Sequence, residues 1–131
     1  MMDTIYTIVL FGEAERGEFR TAYLCQGLED LDKYLGNPPY QSKGLYCAVQ
    51  ALLFKRRLIY FRVSEEGFSI NDYLIGLKML EQQTFIPNLD AIYMPGIGNQ
   101  EVLDAVQPIC KFYHSILLTN EADFYDYLYY K

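Results

Sequence analysis

Glutamates collect where this chain turns from apolar to polar. GEAERGE follows TIYTIVLF, SEEGFS follows RLIYFRV, PGIGN follows LDAIYM, and NEAD follows SILLT. Glu13, Glu15, Glu65, Glu66 and Glu121 fall in these turns, with Ser64, Asn99 and Asn120. Carboxylates gathered at the carboxyl ends of parallel strands can hold Mg²⁺ for Lewis-acid chemistry. Glu13, Glu65 and Glu66 are the candidate metal ligands on that reading. The competing reading is structural: acidic residues beside helix N-termini stabilise the helix dipole. It accounts for Glu101, Glu121 and Asp123, and the strand-end segments carry no DxD signature to sharpen the metal reading.

The stretch LDAIYMPGIGNQEVLDAV poses a second question. Gly96 and Gly98 precede a helix whose free N–H groups would attract an anion. Gly96, Gly98, Asn99 and, at the next such turn, Asn120 are therefore candidate anion-binding residues. A dinucleotide fingerprint needs a third glycine where Glu101 stands, and no GK[ST] is present. No Lys or Arg lies between Glu81 and Lys111. The structural reading is a tight turn capped by Asn99.

Other chemistry is thinly represented. His114 is the one imidazole, and Cys25, Cys47 and Cys110 form no CxxC pair, so a zinc site has too few ligands. Cys110 precedes His114 by four residues and could couple thiolate to imidazole, although a core cysteine and a helix-end histidine are the more ordinary explanation of the pair. No GxSxG is present. KRRLIYFR sets Lys55, Arg56, Arg57 and Arg62 around Tyr60 and Phe61. That pattern can grip nucleic acid. The segment also reads as a buried strand preceded by cations at a helix C-terminus.

The composition narrows the classes. Lys plus Arg number 11 against 17 Asp plus Glu, a net charge of −6. Such a surface repels polyphosphate, so nucleic-acid binding is disfavoured, and it suits a basic partner. No apolar run reaches the roughly 20 residues that span a bilayer, and no secretory signal pattern opens the chain. Odd, dispersed cysteines suggest reduced thiols and a cytoplasmic location. No cofactor is implied. Tyrosine is abundant, 13 of 131 residues with no Trp, which favours half-buried and interface positions. In DFYDYLYYK, Phe124, Tyr127 and Leu128 share one helical face, leaving Tyr125 and Tyr129 on the next. Those two are the candidate interface of a homodimer or protein partner.

The elements that must position these residues follow from periodicity. β-branched and aromatic runs predict strands over 4–11, 19–25, 57–63, 89–94 and 115–119. Helices are expected over 28–35, 43–54, from Ser69 to about Gln82, over 100–113, and from Asn120 to the end. Ser69 and Asp72 read as a capping pair. Pro108 should kink or divide its helix. The expected fold is one three-layer α/β domain with a five-stranded mixed sheet. An N-terminal β-hairpin is followed by β-α-β-α-β-α, an architecture similar to flavodoxin-like and Rossmann-like sheets. The function expected is a small binding module acting through a protein partner or self-association. The alternative is a ligand-binding or Mg-dependent enzymatic domain using the strand carboxyl ends.

Overall fold

The computed structural model describes residues 5–82 and 88–130. Its elements run β1 (Thr7–Gly12), β2 (Ala22–Cys25), α1 (Leu28–Leu35), α2 (Gly44–Leu53), β3 (Arg57–Arg62), α3 (Ile70–Gln82), β4 (Ala91–Tyr93), α4 (Gln100–Tyr113), β5 (Ile116–Leu118) and α5 (Glu121–Tyr130). The five strands form one sheet in the order β2-β3-β1-β4-β5. β1 is parallel to β3 and β4, and β4 to β5, while β2 alone runs antiparallel, against β3. This is the mixed three-layer α/β arrangement that the alternation of elements predicts.

The two N-terminal strands do not form a direct hairpin: β3 lies between them. The reason is burial. All six residues of β1 are buried, so β1 needs a partner on each side. β3 matches it over six residues, Thr7 with Arg57 through Gly12 with Arg62. β2 has four residues, two of them exposed, which suits an edge. The loop that carries the chain past β3 is gathered around the Arg62 guanidinium. Arg62 donates to the carbonyls of Gly17 and Ala14 and lies 4.0 Å from the Phe19 ring centroid.

Each sheet face buries its own core. Ile8, Leu10, Leu58, Tyr60 and Tyr93 pack under α1, α2 and α5. Val9, Phe11, Ile59, Phe61 and Ile92 pack under α3 and α4. The alternation along β1 and β3 sends successive side chains to opposite cores. Among the described residues no helix is long and apolar enough to cross a membrane.

Two local expectations are revised. Pro108 sits inside α4 without dividing it. Its position is solvent-facing, while Val102, Val106 and Ile109 hold the buried side, so the carbonyl it leaves unbonded is open to water. Ser69 and Asp72 do not cap one another. The Ser69 hydroxyl donates to the Glu65 carbonyl, and the buried Asp72 carboxylate accepts from the Ser64 amide and from Arg20.

Candidate functional site: a cleft at the strand carboxyl ends

The chain leaving β1 reaches α2 on one face, and the chain leaving β4 enters α4 on the other. The loops leaving β1 and β4 therefore part between neighbouring strands, the place where open α/β sheets hold ligands. A cleft of about 520 Å³ lies there. Glu13, Glu65, Gly96 and Asn120, from four separate loops, all line it. The acidic loops do meet, because β1, β3, β4 and β5 all point the same way.

Glu66 organises one wall. Its carboxylate accepts the amides of Lys43 at 2.8 Å and Gly44 at 2.9 Å, which are the N-terminal amides of α2. It also accepts the Glu13 amide at 2.8 Å, and the Glu13 carboxylate accepts the Glu66 amide at 2.9 Å. The loops after β1 and β3 are thus tied reciprocally, and a carboxylate already occupies the positive end of α2. This is possible only because α2 starts against the end of β1. A methyl group added at Gly12 would lie 2.8 Å from Gly44 Cα and 2.2 Å from the Tyr60 hydroxyl. Both positions must lack a side chain. The Tyr60 hydroxyl donates to the Glu13 carbonyl at 2.7 Å beneath them.

Two further helix ends near the cleft are capped by the chain's own side chains. Asn99 accepts the Val102 amide at 3.1 Å, and Asn120 accepts the Asp123 amide at 2.9 Å. The sequence predicts both caps. Gly96 and Asn120 line the cleft, whereas Gly98 and Asn99 stand outside its lining. Gly96 has φ +76° and its amide donates to the Thr119 carbonyl.

The carboxylates of Glu13 and Glu66 are engaged with amides. Among the described residues no group of three or more Asp, Glu, His or Cys assembles to hold a metal ion. Glu65 is exposed, and its carboxylate has no partner among the described residues. Glu121 pairs with Lys43. The lining therefore carries four carboxylates and one ammonium. Aromatic rings complete it: Tyr40 is 90% exposed, Phe68 is 72% exposed, and Tyr93 is buried. Cys47 donates to the Tyr93 hydroxyl at 3.8 Å. Burial pushes its thiol up to about 11, so it is no thiolate nucleophile at neutral pH.

Tyr40, Gln41, Lys43 and Phe68 were not anticipated at this site. Residues 37–43 (NPPYQSK) follow α1 and carry no ligand motif. Their place comes from the Gly12–Gly44 approach, a pairing across 32 positions of chain that periodicity cannot reveal.

The remaining candidates lie elsewhere. Tyr129 is 69% exposed and meets Phe54 edge-on at 5.3 Å, while Tyr125 is half-buried against Phe124. His114 is exposed at the left-handed C-cap of α4. Burial raises the half-buried Cys110 thiol, with the Ser115 hydroxyl opposing. Comparison of the chain with protein-family models, curated proteins and solved structures finds no match.

Proposed function

We propose that the protein is a binding module whose strand-end cleft receives a positively charged organic group, an alkylammonium or a guanidinium. One observation carries this. The helix ends that could have served an anion are met by Glu66, Asn99 and Asn120, while an unpartnered Glu65 carboxylate and two exposed rings face the opening. Carboxylate and aromatic walls together favour a cation over a phosphate. The group belongs either to a free amine or to a Lys or Arg side chain of a protein partner. Three free cysteines, two of them buried, support a reducing compartment such as the cytoplasm.

The test is thermal stability with agmatine, spermidine and a short Arg-containing peptide, set against inorganic phosphate, ADP and Mg²⁺. A ligand at 100 times its dissociation constant stabilises by about 2.7 kcal/mol. Stabilisation by a cationic compound, reduced by Glu65→Gln, is expected. Response to the peptide alone indicates a protein partner, and response to the free amines indicates a small molecule. Stabilisation by phosphate or ADP, with none by amines, contradicts the proposal.

A second reading, self-association, is favoured by the outer face of α2 and α5. α2 contains no charged residue, and Tyr46 and Leu53 stand exposed on it. Phe54 and Tyr129 join it to α5. Two copies meeting through α2 would place no like charges of that helix against one another. A dimer mass in solution, halved by Tyr129→Asp, supports it; a monomer at 100 µM removes it.

A further inference from the structure

The sheet ends at β5, and among the described residues no further strand pairs with its outer edge. Ile116 and Leu118 face β4: the Ile116 amide donates to the Asp90 carbonyl, and the Leu118 carbonyl accepts the Met94 amide. Alternation along a strand then turns the N–H and C=O of Leu117 outward. Beside this edge lies a groove of about 450 Å³ under α5. Ile116 is 47% exposed in it, and Tyr127 and Tyr130 form its aromatic side. Asp123 and Asp126 stand exposed on its rim, and among the described residues no Lys or Arg lines it.

We propose that this edge accepts an extended basic segment of a partner protein as an added strand. The backbone of Leu117 supplies the pairing that any extended peptide can use, and the groove beside it supplies the selection. Lys or Arg side chains on the α5-facing side of the added strand lay their alkyl stems against Ile116 and the tyrosines and carry their charges to Asp123 and Asp126 at the rim. Charge settles the occupant. A second copy of this chain would set the same two aspartates against themselves, so a basic segment is the complementary guest. The site is separate from the strand-end cleft and shares no residue with it.

The probes are three seven-residue peptides: alternating Lys and Val, alternating Glu and Val, and the Lys/Val peptide N-methylated on alternate amides. Binding is followed by backbone NMR with amide hydrogen exchange. The Lys/Val peptide is expected to bind, to weaken with salt, and to slow exchange of the Leu117 amide at least tenfold. Asp123→Asn with Asp126→Asn should weaken it about fivefold, and N-methylation on the bonding edge should abolish it. Glu65→Gln should leave it unchanged, which separates this surface from the cleft. The exposed position of Ile116 makes Ile116→Lys a second blocking variant whose fold circular dichroism can check. Equal binding of the Glu/Val peptide, equal binding of the N-methylated peptide, or an unprotected Leu117 amide overturns the proposal. So does a homodimer that itself protects Leu117.

Discussion

At the carboxyl ends of the parallel strands, a carboxylate from the loop after β3 meets the N-terminal amides of α2. At the amino ends, a guanidinium meets helix C-terminal carbonyls instead. Arg56 is buried there and donates to the carbonyls of Phe54 and Leu128, at the ends of α2 and α5, and to the Tyr127 hydroxyl. Its guanidinium lies 5.3 Å from the Tyr6 ring and 5.1 Å from the Tyr127 ring. Both ends use a charge of the sign that the helix dipole requires. They differ in what is left over. Arg56 is enclosed by rings and carbonyls, so that end is closed. Glu66 satisfies its amides from one side, and Glu65, Tyr40 and Phe68 beyond it remain open. One charged residue at each end anchors the same helix, and the strand-end cleft lies at the Glu66 end.

The largest expected effect tests how closely the cleft wall is built. Gly12→Ala should cost about 3 kcal/mol or more in urea unfolding, because the new methyl meets backbone at Gly44 as well as the Tyr60 hydroxyl. Tyr60→Phe should recover only part of that loss, since Gly44 Cα remains 2.8 Å away. Full recovery would show that the hydroxyl alone, and not the helix approach, sets the geometry.

Next comes the closed end. Arg56→Met keeps the bulk and removes the donors, leaving buried carbonyls unsatisfied, with an expected loss of about 2–3 kcal/mol. Glu66→Gln at the open end should cost less, about 1–2 kcal/mol, because solvent can reach the freed amides. If Glu66→Gln costs more than Arg56→Met by urea titration, the contrast between an open and a closed end fails.

A smaller effect follows from Asp72. Burial alone would raise this carboxyl, but the Ser64 amide and then Arg20 outweigh it and hold it below its ordinary value. A folded-state value below the unfolded one stabilises the native state above the unfolded value. That stability is lost as pH falls through the folded value. Asp72→Asn should therefore flatten the acid limb of the stability profile below about pH 4. An unchanged limb would remove Asp72 from the account.

Much of the fold is legible in residue types. The buried run of β1, the leucine spacing of α1 and the asparagines before α4 and α5 each act locally, so periodicity and capping reveal them. The pairing of β1 with β3 does not act locally. It depends on which strand can bury six residues on both sides, and a sequence pattern that marks two strands cannot say which lies between them. The site divides the same way. Glu13, Glu65, Gly96 and Asn120 were readable as strand-end residues once the strands were parallel. Tyr40 and Lys43 were not, because the close approach of Gly12 and Gly44 brings them there. Glu66 was legible as a carboxylate at the right edge, but its task, capping a helix from another loop, is a tertiary relation.

The most direct test of the open cleft is a backbone NMR titration with agmatine, run in parallel with inorganic phosphate. The account predicts shifts from agmatine centred on Lys43, Glu65, Gly96 and Asn120, reduced by Glu65→Gln, with the Arg56 region still and phosphate silent. Shifts from phosphate at Gly96 and Asn120, with none from agmatine, would contradict it.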